Sequence, residues 1–437
     1  MNINDYVLFN YDNSANWFEE EVKQGYHIQR ISNVIKNKDY LMGKHNILQR
    51  ENSLYKGQEF KTTKLILQTA KTILNFHNTY LFGKPLTITG TEAMVDKYNW
   101  IYYNGSYNNL DYKIIDKINK YGDCGEYVYV INGVIKSHII KPEDFYPVYD
   151  ADYNYIACIE SWTDAGNNIS YYTVYYADRV EMWNNNGGNF TMADSKVNVS
   201  GLPIHYHNAN EYDDSFGRSE IEDIKPILDC IEDLLSKFND GIYINSLNPL
   251  PVSIGQRIEG NISADAVGYV LNMEDNADFK YVSAMLDYQS IKLLYDSLRK
   301  ELLDIACMPS VAMGNTNVAN VSEVSLKLMY QLADVKAMIN EKFVREGLFR
   351  RFEIFKRLLN KMGIEFSDKD YVDIEFNYSR PVNTKDILDN LKVQNDMGAI
   401  SKQSIVEKSP LTNDVTQELE RLSKETKSGK KVDDTEV

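Results

Sequence analysis

Carboxylates that could perform acid–base chemistry cluster in one tyrosine-rich stretch of the chain. Glu143, Asp144, Asp150 and Asp152 stand close together, and paired carboxylates of this kind can hydrolyse glycosidic bonds. The same residues flank Pro147, and aspartates beside a turn commonly accept hydrogen bonds from the backbone. The turn interpretation is therefore favoured, and an acid–base hydrolase is kept as the alternative.

A second group has the residue types of a metal site. His205 and His207 alternate at a predicted strand end, so both can face one side, with Asp213 or Asp214 as a further ligand. Because this segment holds few other ligands, ordinary surface roles are favoured. We predict no metal site here.

Catalytic signatures are absent from the sequence. Gly83-Lys84 and Gly429-Lys430 lack the upstream glycine and the following hydroxyl residue of a phosphate-binding loop. No GxSxG or HExxH sequence occurs either. We therefore predict no catalytic residues, no nucleotide site and no cofactor.

The composition limits the class of protein. A net charge of -16 over 437 residues argues against binding nucleic acid by neutralising its phosphates. Apolar runs are too short to span a membrane, and residues 1–18 do not resemble a signal peptide, so we expect a cytoplasm-like location. The cysteines lack CxxC spacing and are predicted to be buried free thiols; they are Cys124, Cys158, Cys230 and Cys307.

The first half of the chain is predicted to change from helix to strand. Helices are expected at 13–23, 39–51 and 62–81, and the Gly83-Lys84-Pro85 turn should lead into a strand. Residues 100–207 have the composition of a mixed, mostly antiparallel sheet. Within it, Asn132-Gly133 predicts a tight hairpin. The strands expected in this region are 126–131, 134–140, 153–162 and 171–183.

The second half is predicted to be mainly helical. Ser219 and Glu222 form a capping box before an amphipathic helix, which Pro226 should kink or delay. A small β insert with strands at 250–255 and 268–273, a helix at 287–306 and an amide-rich loop at 308–320 should follow. The C-terminal part should contain a strand at 371–378, two or three short helices within 384–426, and a disordered charged tail.

Residues 322–362 predict an unusually long helix. At ~1.5 Å per residue it would reach about 60 Å, so its apolar face needs a neighbour to cover it. We place a bend at Gly347, where the apolar pattern is offset. The first part of the face is Val324, Leu328, Leu332, Val335, Ile339 and Phe343, and the second is Leu348, Phe352, Phe355 and Leu359.

Taken in order, several segments resemble the portal proteins of long-tailed bacteriophages, the ring at the capsid vertex through which DNA is packaged. The resemblance covers roughly residues 39–426, and the order of the segments is more specific than any one of them. They include DYLMGKHNIL at 39–48, YLFGKPL at 80–86, YGDCGE at 121–126, KPEDF at 141–145, SEVSLK at 322–327 and GAIS at 398–401.

The resemblance implies an α+β portal fold with a wing, a helical stem, a small β clip, a long kinked wing helix and a helical C-terminal crown. The implied regions are the N-terminal wing at 1–218, the first stem helix at 219–246, the clip at 247–286, the second stem helix at 287–307, the tunnel loop at 308–320, the long wing helix and a strand at 321–382, the crown at 383–426 and the disordered tail at 427–437.

The resemblance also implies a function and its partners. The expected protein is a non-enzymatic dodecameric ring that passes double-stranded DNA without reading its sequence. Its expected partners are the terminase large subunit, a head-completion adaptor, and the major capsid and scaffolding proteins, with no membrane. Its expected location is the virion, after assembly in the host cytoplasm.

The residues expected to meet DNA lie in two places. The tunnel loop offers amides and a hydroxyl, which make weak hydrogen bonds to phosphates without fixing register; they are Asn315, Thr316, Asn317 and Asn320. The second stem helix carries Lys292, Arg299 and Lys300 as possible channel-facing cations. Pairing of these three residues at helical spacing with Asp296, Glu301 and Asp304 is the favoured interpretation.

Overall fold

The structure is a computed structural model. It describes residues 1–55, 58–246, 250–255, 273, 275–282, 287–309, 323–381, 384–412 and 415–429. Within these ranges no helix is both long and apolar enough to cross a bilayer.

Helices dominate the N-terminal part before the main sheets begin. The helices are α1 at Ile3–Tyr11, α2 at Trp17–Glu21, α3 at Gly25–Leu41, α4 at Thr69–Phe82, α5 at Glu92–Gly105 and α6 at Tyr107–Tyr121, with a 3₁₀ turn at Asn46–Gln49. The strands among them are β1 at Ser53–Tyr55, β2 at Gln58–Phe60 and β3 at Thr87–Gly90.

Two antiparallel sheets follow. The strands are β4 at Asp123–Ile131, β5 at Val134–Ile140, β6 at Phe145–Tyr149, β7 at Tyr155–Asp164, β8 at Ile169–Tyr175, β9 at Arg179–Asn184, β10 at Thr191–Val197 and β11 at Ile204–His207. One sheet has the order β10-β9-β8-β7-β6 and the other β11-β4-β5. Asn132 and Gly133 have φ of 51° and 75° between β4 and β5, which confirms the predicted hairpin.

The C-terminal half is mostly helical. Its helices are α7 at Ile221–Gly241, α8 at Tyr288–Ile305, α9 at Glu323–Met329, α10 at Gln331–Lys361, α11 at Thr384–Asp396, α12 at Lys402–Lys408 and α13 at Val415–Gly429. Its strands are β12 at Leu250–Ile254, β13 at Asp278–Val282 and β14 at Val372–Glu375. β12 pairs with β13, and β14 returns to pair with β3.

Four hydrophobic clusters hold the elements that the structure describes, and the smallest joins β5 to β9 through Ile140, Phe145, Cys158, Tyr175 and Val180. The largest packs α5, α6 and one face of α10 against β4 and β11. A second lies among α3, α4, α7 and α8. The third places Trp17 and Phe18 of α2 against the five-stranded sheet. The long helix α10 therefore contributes one face to the largest cluster along both halves of its length.

Several predicted elements were wrong. Residues 39–51 are not one helix, since α3 ends at Leu41, and residues 62–68 precede α4. Residues 100–121 belong to helices α5 and α6 rather than to the sheet. Their tyrosines favour strands, yet Leu110, Ile114 and Ile118 recur at four-residue spacing and bury a helical face.

Other outcomes are mixed. The strand predicted at 171–183 is split into β8 and β9, and the one predicted at 268–273 has residues 268–272 outside the described part. The three helices α11, α12 and α13 confirm the predicted C-terminal helices.

The cysteines are only partly buried as predicted. Cys124 and Cys158 are buried, whereas Cys230 is exposed and Cys307 is half-buried. The prediction of buried thiols was therefore wrong for the last two.

Candidate functional site

The hairpin formed by α7 and α8 is fixed at the start of α7. The Ser219 hydroxyl donates to the carbonyl of Lys120 at 2.6 Å and accepts from the Ile221 amide at 3.2 Å. Glu222 accepts from Arg218 Nε at 3.1 Å instead of closing a capping box, so that prediction was wrong. The helix begins before Pro226, so the proline does not delay its start.

An extended strap, residues 63–67, runs along α7 through a polar ladder. The amides of Thr63, Leu65 and Leu67 donate to Asp240 Oδ1 at 2.9 Å, Ser236 Oγ at 3.0 Å and Glu232 Oε1 at 2.7 Å, respectively. Two residues of extended chain rise ~6.7 Å and one four-residue step of helix ~6 Å, so alternate amides meet successive turns. The ladder binds the strap antiparallel to α7.

Glu232 also holds the segment before the strap. Its Oε1 lies 2.7 Å from His45 Nδ1, while His45 Nε2 lies 2.9 Å from the Tyr40 carbonyl. The His45 ring stacks on the Tyr40 ring with 3.9 Å between centroids. These polar residues were not singled out from the sequence. Their signal was the four-residue spacing of Glu232, Ser236 and Asp240 beside the apolar stripe.

Glu232→Ala should therefore destabilise the protein. We expect the free energy of unfolding to fall by about 2 kcal/mol, because the Leu67 amide and the His45 ring lose their acceptor in a buried place. Urea unfolding measures this loss. Asp233→Ala is the matched control, because Asp233 pairs with exposed Lys237 and should cost less than about 1 kcal/mol; equal losses would contradict the ladder.

The end of α8 is anchored to α4. His77 Nε2 donates to the Ala306 carbonyl at 2.7 Å, and the Met308 amide donates to the Leu303 carbonyl at 2.9 Å. Cys307 adopts φ of 50° at this helix end, the left-handed conformation that usually closes a helix. The predicted tunnel loop begins here with buried Met308 and Pro309. Its predicted DNA contacts lie outside the described residues; they are Asn315, Thr316, Asn317 and Asn320.

Burial makes two histidines of the protein hard to protonate. Desolvation lowers the pKa of His77 and of His205 to about 4. Between pH 6.5 and 4 the unfolded chain then binds more protons than the folded one, so stability falls as the pH falls through this window. Each histidine contributes on the order of 3 kcal/mol to this loss.

His77→Gln should flatten that pH dependence. The glutamine amide can still donate to Ala306 but does not titrate, so the loss of unfolding free energy between pH 6.5 and 4 should shrink on the order of 3 kcal/mol. Urea unfolding at several pH values measures the difference between the two proteins. If the unfolding free energies of the two proteins change with pH in the same way, His77 is not held neutral by the fold.

The three predicted stem cations lie on α8 but not all on one face. Lys292 and Lys300 are exposed and Arg299 is half-buried. At 100° per residue, Lys292 and Arg299 share one flank and Lys300 lies about 100° away. No ion pair joins Lys292 or Lys300 to Asp296, Glu301 or Asp304, although the structure describes all five residues. The expected intrahelical pairing of the two lysines was therefore wrong.

The long helical segment exposes most of the first part of its predicted apolar face. We call this face the apolar seam: Val324 is 68% exposed, Leu328 67%, Leu332 47%, Val335 41% and Ile339 41%. The chain's own core instead takes the opposite face of α10, which carries smaller residues; these include Ala333, Ala337, Asn340 and Val344. Leucine and valine side chains each gain about 1.5–3 kcal/mol on burial, so a row of them in water indicates an absent neighbour.

The long helical segment is interrupted at a different place from Gly347, where the bend was predicted. α10 continues through Gly347, and the helix is interrupted at Tyr330 between α9 and α10. A Cβ at Gly347 would lie 2.3 Å from the Tyr206 ring, so the glycine serves close packing against β11. The second half of the predicted face is buried as expected, at Leu348, Phe352, Phe355 and Leu359.

A buried ionic cluster secures this half of α10. Arg351 is fully buried and bonds to Asp111, while its Nε donates to Glu126 Oε2 at 2.9 Å. The Tyr206 hydroxyl donates to the same Glu126 oxygen at 2.7 Å. Burial raises the pKa of Asp111 to about 6, although the nearby charge of Arg351 partly offsets this effect. The cluster therefore joins α6, β4, β11 and α10, and its residues were not predicted from the sequence.

The predicted acid–base and metal residues have structural contacts. Asp150 Oδ1 accepts from the amides of Asp152 and Asn154, each at 2.9 Å, which confirms the turn interpretation. Glu143 pairs with Lys38 at 2.8 Å. His205 Nδ1 contacts the Tyr149 hydroxyl at 2.7 Å, and no metal-binding group of three or more His, Cys, Asp or Glu residues occurs in the described ranges.

These features leave one face of the longest described helix exposed to solvent. A family model described as "Phage portal protein, SPP1 Gp6-like" matches residues 20–431. The chain is similar to the portal protein of Bacillus phage SPP1, with 23% identity over 384 residues, covering 79% of this chain and 73% of that protein. It therefore belongs to the SPP1 Gp6-like family of phage portal proteins, which are structural assembly proteins.

The fold agrees with that membership. A chain in a solved structure of the neck of an empty gene transfer agent particle aligns with a TM-score of 0.50 and 12% identity, covering 77% of this chain and 88% of that chain. At this identity the likeness concerns the fold. It is a mixed helix and strand fold of the phage portal and neck type.

Proposed function

We propose that the protein is the portal subunit of a virion, assembled as a dodecameric ring at one capsid vertex. Double-stranded DNA passes through the ring during packaging and ejection. The terminase large subunit and a head-completion adaptor dock on it, and the major capsid and scaffolding proteins surround it. Assembly takes place in the host cytoplasm. Family membership supports the portal role, and the open apolar seam is the observation that supports the ring.

A ring accounts for the exposed seam in a simple way. Heterologous contacts between identical subunits close into a ring when each copy rotates by a fixed angle. The seam of one copy would then lie against a different face of the next, and no seam would remain in water. A single soluble copy would leave five large apolar side chains exposed along one line.

The proposed regions keep the boundaries that the resemblance implies. The wing comprises 1–218 with 321–382, the stem 219–246 and 287–307, the clip 247–286 and the crown 383–426. In this assignment α7 and α8 form the stem, and the strap couples α7 to the wing through Glu232, Ser236 and Asp240.

The channel wall is proposed on physical grounds. A conduit must not bind its polyanion tightly, so few cations and many neutral donors suit its lining. We assign the weak contacts to Asn315, Thr316, Asn317 and Asn320 of the tunnel loop. Exposed Lys292 and Lys300 on α8, with Arg299, supply scattered positive charge.

Averaged electron images of the assembled protein test the proposal. Particles with rotational symmetry and a central hole wide enough for a duplex are expected. Symmetric particles without a hole would instead indicate a capsid scaffold without a channel. A monomer that hydrolyses glycans would overturn the proposal in favour of the hydrolase alternative.

A further inference from the structure

A cleft of about 1030 Å³ opens between β11, the loop at 208–216 and α10. We call it the β11–α10 cleft. Its floor is a row of neighbouring aromatic rings: the centroids of Tyr149 and Tyr155 are 5.4 Å apart, those of His205 and His207 5.3 Å, and those of His207 and Phe343 5.7 Å. The Tyr149 hydroxyl contacts His205, so the row is continuous.

The rim of the cleft is acidic. Asp213 and Asp214 line it and form no ion pair within the described residues. Asp213 Oδ1 accepts from the Ser215 amide at 2.7 Å, which fixes its position. On the opposite wall Glu346 pairs with Arg350 at 2.5 Å. Aromatic faces beside unpaired carboxylates attract a lysine or arginine side chain, so the cleft suits a cation.

Tyr212 is presented at the mouth of the cleft. Its side chain is 96% exposed, while its amide donates to Asn210 Oδ1 at 3.1 Å and Asn210 Nδ2 donates to the Phe216 carbonyl at 2.8 Å. The loop is therefore tied in place with its tyrosine in water. Tyrosines in such positions join apolar area to a polar tip and are common in interfaces.

The cleft continues the apolar seam. The seam residues follow steps of four or three along the helix, and the same steps lead from Ile339 to Phe343, Glu346 and Arg350, which form the cleft wall. A partner that covers the seam therefore also covers the cleft. Resting on the ring proposed above, we propose that a neighbouring copy of this chain completes the β11–α10 cleft by inserting a lysine or arginine side chain.

Photo-crosslinking in the assembled full-length protein tests this inference. Tyr212 is replaced by p-benzoylphenylalanine, and Tyr103 on α5, which is 85% exposed and does not line the cleft, is replaced in a control. Irradiation should join subunits to one another from position 212, with adducts on a peptide that carries lysine or arginine. The control should give few such adducts.

A second variant measures the role of the acidic rim. Asp213→Asn with Asp214→Asn should raise the dissociation constant between subunits about tenfold, without changing circular dichroism. Rings that form normally while position 212 crosslinks to no other subunit, or to a different virion protein, would overturn the inference and leave the ring intact. Absence of rings from the unaltered protein would overturn the proposed function itself.

Discussion

Arg351→Met is expected to lower the free energy of unfolding by about 3–5 kcal/mol, because it leaves two buried carboxylates without their cation. Asp111 and Glu126 both contact Arg351, and all three side chains are almost completely buried. Methionine fills much of the volume of the arginine side chain, so the lost stability reflects the missing positive charge rather than a cavity. Urea unfolding of the two proteins measures it.

The neighbouring arginine provides a matched control. Arg350 pairs with Glu346 at the surface, and Arg350→Met should cost less than about 1 kcal/mol. Adding Asp111→Asn and Glu126→Gln to Arg351→Met should recover part of the lost stability, since no unpaired buried charge then remains. Similar losses for the two arginine variants would show that the buried cluster does not hold α10 to the wing.

Leu328→Asp combined with Leu332→Asp is expected to abolish the ring. Both side chains are exposed in the single chain, at 67% and 47%, so the fold should tolerate the change. In the ring, replacing each leucine removes at least about 1.5 kcal/mol of favourable burial energy. The two losses together raise the subunit dissociation constant at least about a hundredfold. Light scattering on a sizing column measures the mass, and circular dichroism checks the fold.

Leu54→Asp is the control for this variant. Leu54 is 81% exposed on β1, away from the seam residues in sequence, and its substitution should leave assembly unchanged. If the seam variant assembles as well as the control, the seam is not part of a subunit contact. If both variants fail to assemble, the effect is one of added charge rather than of position.

The long helix was predictable because its apolar spacing persists for about eleven turns. The same spacing could not reveal which face meets the chain's own core. Large residues such as Leu328 and Leu332 suggested the buried side, yet Ala333 and Ala337 face the core because close packing of helices there requires small side chains. The large residues of the pattern form the apolar seam, which stays exposed in the single chain.

Other features depended on contacts between residues distant in sequence. The ladder joins residues 63–67 to α7, and Arg351 of α10 meets Asp111 of α6 and Glu126 of β4. Neither pairing has a local signal in the sequence. Helices α5 and α6 were missed because tyrosine propensity outweighed a weaker helical period. The hairpin at Asn132-Gly133 was predictable because its turn chemistry is local.

A cryo-electron microscopy reconstruction of the assembled protein tests most directly whether the seam is a contact between copies. Val324, Leu328, Leu332, Val335 and Ile339 should be covered by the adjacent subunit, with α7 and α8 surrounding an open pore that admits a DNA duplex. A reconstruction in which these side chains remain in solvent, or in which no pore exists, would contradict the portal ring.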